Sequence, residues 1–395
     1  MQIKNSIDMM VKKYGRHKLS LLLLLLLWTG SIQAQKRAEH EYYMEMPIYV
    51  DSIQRSLTYP LAWRNFPIRD LKAWKQAARR QIWESMGPLP PRSADYDMQI
   101  EAREQRDGYQ AIRFSIQLTQ WYRVKGYLLV PDGKGKHPAV NLLHDHGAHL
   151  YIGKEKMIRP FATDTAVIND ADRWVKQLYG GQYMGDYLAK HGYVVMSTDA
   201  PLWGDRGRRE GTDRSKYDII AGNMMMLGRN LCAFMHHDDV AATDFLATLP
   251  YVDSTRIAAA GCSMGAYRAW MLAALTDRIK VTASICWMTT TAAQLTTRYG
   301  RKENGGFANC IPNLRNYLDY PDIASIAAPR AMLMINGTRD KLFKIPGVED
   351  AYGIMSGVWR DAGAPQKLET HIIDQTHECN LEDQRLVLNF LQRHL

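Results

Sequence analysis

Gly261-Cys262-Ser263-Met264-Gly265 places a serine between two glycines, directly after the apolar run Ile257–Ala260 and directly before the helix-forming stretch Ala266–Leu275. Such a strand–turn–helix setting throws the central hydroxyl up at the end of a sheet, and the turn is tight enough that its flanks must be small. A serine hydroxyl is a weak nucleophile and needs a histidine in contact, with a carboxylate holding that histidine. Two later segments supply both in the chain order Ser…Asp…His. Ala331–Ile335 reads as a buried strand whose following turn carries Asp340, and Thr370–Ile373 reads as the last strand, followed by His377. Asp374 is a rival acid but sits too close to the end of that strand, and Glu378 adjoins the histidine and points away. The chemistry expected is acyl transfer, with Ser263 as nucleophile, His377 as base and then acid, and Asp340 as its orienting carboxylate.

An oxyanion forming on the substrate needs two donors. The Met264 N–H, next after the nucleophile, is one. The loop His144-Asp145-His146-Gly147-Ala148-His149, after the strand Ala139–Leu143, offers the other, and Ala148 is the expected residue with Gly147 as alternative. The same loop admits a zinc reading through His144, His146 and His149. No aspartate stands at Ala148 and no second ligand set follows, so neither metal nor organic cofactor is expected. His236-His237-Asp238-Asp239 opens a predicted helix, where acids act as caps. Asp199–Gly207 follows another strand and should line a pocket. Arg206 suits bidentate contact with a carboxylate, whereas Arg208, Arg209 and Arg214 read as solvated loop residues. Trp203 and His146 are further candidates for substrate contact, as is Trp287, which could stack on a substrate ring.

These residues need a scaffold. With 46% hydrophobic and 23% charged residues in 395, the chain is globular and large enough for a sizeable core. Alternation over residues 96–130 predicts two or three antiparallel strands at a sheet edge. From residue 138, strands at Ala139–Leu143, Gly192–Thr198, Arg256–Ala260, Val281–Trp287, Arg330–Ile335 and Leu368–Ile373 alternate with helices, among them Asp238–Leu249 and a closing Leu381–Leu395. That rhythm predicts an α/β fold with a mostly parallel sheet and helices on both faces. Long connections at 150–185, 200–230 and 288–325 all follow carboxyl ends of strands, where ligands bind in such sheets. Residues 35–95 read as an aromatic-rich extension with an amphipathic helix, Leu71, Trp74, Ala78 and Ile82 sharing a face. Residues 96–395 are then the catalytic domain.

Residues 1–34 read as a secretory signal peptide. Lys4, Lys12, Lys13, Arg16 and Lys18 precede a core with seven consecutive leucines, and Ala34 offers a small residue at the cleavage site. The apolar core is shorter than the ~20 residues a membrane span needs, so a periplasmic or secreted protein is expected. Beyond this segment the net charge of +9 falls to +5, too modest to point to nucleic acid. The five cysteines (Cys232, Cys262, Cys286, Cys310 and Cys379) allow at most two bridges, with no pairing readable.

Ser263, Asp340 and His377, with Leu143–Gly147 and Pro250–Ile257 ahead of the nucleophile strand, resemble the α/β-hydrolase superfamily. The closer likeness is to its bacterial dienelactone-hydrolase and acetyl-xylan-esterase-like branch. The resemblance covers roughly residues 96–395. It implies a serine esterase removing acetyl groups from an ester-decorated plant poly- or oligosaccharide. Pectin-type methyl or glucuronoyl ester hydrolysis is an alternative that it also admits, although glucuronoyl esterases carry arginine where Met264 stands. A prolyl-oligopeptidase-like peptidase and a non-catalytic glycan-binding protein are the remaining readings.

Overall fold

The computed structural model describes residues 46–295 and 306–395. The expected signal peptide lies outside the described residues, and no described helix is long and apolar enough to cross a membrane. The chain divides after Ser56. The first unit contributes one described helix, α1 (Met46–Arg55).

The second unit, Leu57–Leu395, is built on one nine-stranded sheet with the order β1-β2-β3-β5-β4-β6-β7-β8-β9. The strands are β1 Gln99–Arg106, β2 Tyr109–Gln117, β3 Arg123–Pro131, β4 His137–Leu143, β5 Val194–Thr198, β6 Val252–Cys262, β7 Ile279–Ile285, β8 Ala331–Gly337 and β9 Leu368–Ile373. β1, β2 and β3 pair antiparallel, and β3 meets β5 antiparallel. Every pair from β5 through β9 is parallel. This is the mostly parallel α/β sheet expected from the strand rhythm, with the antiparallel edge where alternation located it, and it matches the α/β-hydrolase architecture that the resemblance implies.

Successive strand residues face opposite sides, and both sides are buried. Ile257 and Ala259 of β6, with Met332 and Met334 of β8, belong to one core; Ala258, Ala260, Leu333 and Ile335 belong to the other. Helices cover each face. On the first lie α2 (Leu71–Ser85), α5 (Arg214–Met226), α6 (Leu231–Leu246), α7 (Met264–Leu275), α9 (Tyr320–Ser325, after the short α8, Thr291–Gln294) and α10 (Ile345–Asp361). On the second lie α3 (Thr165–Leu178), α4 (Met184–Lys190) and α11 (Leu381–His394). The predicted face of α2 is the buried one: Trp74, Ala78 and Ile82 are sealed in the first core. Asp70 caps the helix by accepting from Lys72 and Ala73.

One element starts earlier than its sequence suggests. α6 begins at Leu231, capped by Asn230, so His236, His237, Asp238 and Asp239 lie in its buried interior. The acids are therefore ion-pair partners rather than caps: Asp239 takes Arg268 at 2.7 and 3.0 Å. All five cysteines are free thiols.

Candidate active site

The sheet gathers the chemistry at the carboxyl ends of its parallel strands. Ser263 follows β6 and is the N-cap of α7, with φ +55° and ψ −122°. A non-glycine residue at positive φ costs roughly 1–3 kcal/mol, and here the neighbourhood enforces it. The Ser263 amide donates to Ile285 O of β7 at 2.8 Å. The flanking glycines are required by close approach: a Cβ on Gly265 would lie 1.9 Å from Leu143 O, and one on Gly261 would lie 2.5 Å from it.

Asp340 and His377 arrive on two loops stitched together beyond β8 and β9, where Thr338 N–H donates to Ile373 O and Arg339 N–H to Gln375 O. His377 Nε2 lies 2.8 Å from Ser263 Oγ, and its Nδ1 lies 2.7 Å from Asp340 Oδ2. The buried Asp340 is itself fixed, its Oδ1 accepting from Leu342 N–H at 2.8 Å. Burial pulls the imidazole pKa down, but the hydrogen bond and charge of Asp340 outweigh it and leave His377 above its ordinary value. Phe343 stacks on the ring, and the Cys286 thiol donates to Glu378 O at 3.2 Å, tying the histidine loop to the end of β7. Asp374 is turned to solvent and paired with Arg339 at 2.8 Å. Glu378 Oε1 accepts from Thr376 Oγ1.

The cleft over Ser263 encloses only about 30 Å³ and is lined by His146, Met264, Tyr267, Trp287, Leu342 and Phe343, with Ala308 and Asn309 at one side. None of these described lining residues is a lysine or arginine. Trp287 is thus at the cleft, held among Tyr267, Tyr320 and Phe343. Tyr267, Leu342 and Phe343 were not expected there; nothing in their local sequence separates a cleft wall from a core.

Three expectations need correcting. Ala148 is exposed at φ +51°, and its N–H is taken by His146 Nδ1 at 2.9 Å. The loop residue that reaches the cleft is His146. Arg206 does not present a free cation: its guanidinium pairs with Asp238 at 2.7 Å and lies over the Tyr122 ring, whose hydroxyl donates to the same carboxylate. Trp203 is fully buried beneath the loop, its Nε1–H donating to His146 O. It braces His146 edge-on rather than lining the cleft.

The three loop histidines diverge. His144 Nε2 accepts from Ala200 N–H while its Nδ1 donates to Asp145 O. His149 stacks on Trp174 and bonds Asp170. Among the described residues, the one set of potential metal donors that converges is Cys286, Asp340 and His377, which is the Ser263 relay with one thiol added.

A buried ionic layer beneath the loop escaped sequence reasoning. Lys154 Nζ reaches Glu155, Asp199 and Asp205 at 2.7–2.8 Å, and Arg209 closes the set on Glu155 and Asp205. Arg209 is therefore an internal partner and not a solvated loop charge. Lys156 is equally buried and pairs with Asp145. Burial pushes the Asp145 carboxyl up, and Lys156 with the Tyr179 and Trp174 donors outweighs this, holding it below the ordinary range.

The family follows from comparison of the whole chain with known proteins. A family model described as "Abhydrolase family" matches residues 36–389. The chain belongs to that family. A Bacillus subtilis (strain 168) relative named as a hydrolase, YtaP, is 28% identical over 294 residues, spanning 72% of this chain and 88% of its own. Among solved structures, a Bacteroides fragilis protein assigned as an acetyl xylan esterase superposes with a TM-score of 0.65 at 18% identity. The match covers 82% of this chain and 81% of that one. A glucuronoyl esterase from Solibacter usitatus gives 0.59 at 16% identity, covering 85% and 97%. At these identities the abhydrolase chain shares their fold.

Proposed function

We propose that the chain is a serine carboxylic-ester hydrolase that removes acetyl groups from ester-substituted plant polysaccharide or oligosaccharide. The observation that carries this reading is the unbroken Ser263–His377–Asp340 hydrogen-bond relay opening on a cleft of about 30 Å³. A cavity of that size admits about two water-sized groups, which suits the methyl and carbonyl of an acetyl group. The likeness to an acetyl xylan esterase fold supports the same substrate class.

In this reading His377 Nε2 takes the Ser263 proton as Oγ attacks the acetyl carbonyl, while Asp340 fixes the tautomer and stabilises the imidazolium. The oxyanion is met by the Met264 N–H at the start of α7 and by the His146 N–H from the loop after β4. The intermediate collapses, His377 returns its proton to the departing sugar hydroxyl, and water attacks the acetyl-enzyme by the reverse path. Every step uses side chains and amides of this chain.

Glucuronoyl or methyl-ester hydrolysis is the second reading, favoured by the fold likeness to a glucuronoyl esterase. In that substrate the uronate carboxyl is itself the ester and carries no charge, and its acyl part is a whole sugar ring, larger than the cleft of about 30 Å³. Export is part of the proposal and rests on the basic, leucine-rich start of the sequence. The test is p-nitrophenyl acetate turnover with and without Ser263→Ala, followed by acetate and methanol release from acetylated xylans and pectins. Equal turnover by Ser263→Ala removes the serine mechanism. Methanol without acetate replaces the first substrate with the second.

A further inference from the structure

The Lys156 ammonium is fully buried, and each of its three protons has an acceptor: Asp145 O at 3.2 Å, Asp145 Oδ1 at 3.1 Å and His146 O at 3.2 Å. It also faces the Trp174 ring at 4.6 Å. Two consecutive carbonyls thus converge on one cation. The first of them, Asp145 O, has a second donor in His144 Nδ1 at 2.9 Å, so both of its lone pairs are used. A trans peptide is planar, with C=O and N–H pointing in opposite directions. The peptide that holds Asp145 O also holds the His146 N–H. Fixing the carbonyl toward Lys156 therefore fixes that N–H away from it. His146 is the residue of this loop that lines the cleft with Ser263 and Met264.

We infer that Lys156 is a positioning residue for the reaction, aiming and polarising the Asp145–His146 peptide so that its N–H serves the developing oxyanion. A cation on the carbonyl draws electron density through the amide, and hydrogen bonds in such a chain strengthen one another. The benefit is larger for a charged oxyanion than for a neutral ester carbonyl, so it falls on kcat rather than on KM. Lys156 touches no substrate atom. The inference rests on the Ser263 acyl-enzyme reading.

Removing an oxyanion donor costs about 10²–10³ in kcat, and a donor left in place but unaimed and unpolarised should cost about 10–100-fold. Lys156→Met alone would leave the Asp145 carboxylate buried without its cation, and Asp145→Asn alone would leave the Lys156 ammonium without its anion, so the neutral pair Asp145→Asn/Lys156→Met is compared with the unmodified protein. Asp145→Asn/Lys156→Gln serves as a second neutral variant. All are read with p-nitrophenyl acetate, with rates referred to active sites titrated by the acyl-enzyme burst, and with the affinity of methylboronic acid, whose methyl group matches the acetyl and whose boron forms a tetrahedral adduct. The expected result is a 10–100-fold lower kcat in the double variants than in the unmodified protein, a KM within about threefold, and a parallel loss of boronate affinity. A double variant matching the unmodified protein in kcat and boronate affinity per titrated site overturns the inference, and a lowered melting temperature alone does not support it. Ser263→Ala in the same series separates the two readings: turnover surviving there defeats the acyl-enzyme, whereas its loss beside unaffected double variants defeats only Lys156.

Discussion

Lengthening the acyl group tests the cleft most sharply. About 30 Å³ over Ser263 holds about two water-sized groups, so acetyl fits and each added methylene must displace Trp287, Phe343, Leu342 or Tyr267. Trp287 and Phe343 are locked against each other at 5.1 Å between ring centres and are almost fully buried, which leaves little room to yield. Overpacking a tight site costs about 1–3 kcal/mol, against about 0.8 kcal/mol recovered for burying a methylene. The net penalty is about 1 kcal/mol per methylene, so p-nitrophenyl butyrate should fall about 2 kcal/mol behind the acetate, roughly 30-fold in kcat/KM. Leu342 is the exposed wall, and Leu342→Ala should narrow the ratio by admitting the longer chain. The assay is initial rate against the acetate, propionate, butyrate and hexanoate series. Butyrate hydrolysed as efficiently as acetate by the unmodified protein would refute the argument from cleft size.

Asp340→Asn should lower kcat about 10³–10⁴-fold, by analogy with the effect of losing the orienting carboxylate in other triads, with little change in melting temperature. The pH profile follows from the sign at His377. Its neutral form is the base and Asp340 holds its pKa above the ordinary value, so kcat/KM should rise with pH through an inflection above that of a free imidazole. In Asp340→Asn the lowering by burial is opposed only by the smaller contributions of Cys286 and Asp145, so residual activity should titrate at lower pH. An unmoved inflection would detach the profile from this pair. Arg206→Met should leave Asp238 buried without its partner and cost about 3–5 kcal/mol of stability in denaturant melts. A selective loss on uronate esters with normal stability would restore Arg206 as a substrate ligand.

The relay was legible because each of its members is marked by local sequence. Gly261 and Gly265 announce the turn, the strand before Asp340 is an apolar run ended by a polar turn, and His377 lies between the last strand and the closing helix. The sheet was legible for the same reason, since β4, β6 and β8 each contain an apolar run buried on both faces. Ala148 does not reach the cleft because the loop turns back on itself through the His146 Nδ1 to Ala148 N–H bond, which no spacing encodes. Arg206 was misread because its partner Asp238 is 32 positions away on a helix that begins seven residues earlier than the sequence suggests. The layer of Lys154, Glu155 and Lys156 looks, in one dimension, like a solvated charge run. Only the fold brings Asp145, Asp199 and Asp205 to meet it.

The central claim is that the Ser263 hydroxyl is the attacking group because His377 makes it one. Reacting the protein with a p-nitrophenyl alkylphosphonate small enough for the cleft, then mapping peptides by mass spectrometry, addresses this directly. The account predicts one stoichiometric adduct on Ser263 that forms far more slowly in His377→Ala. An adduct elsewhere, or ester turnover persisting in protein fully modified at Ser263, would contradict it.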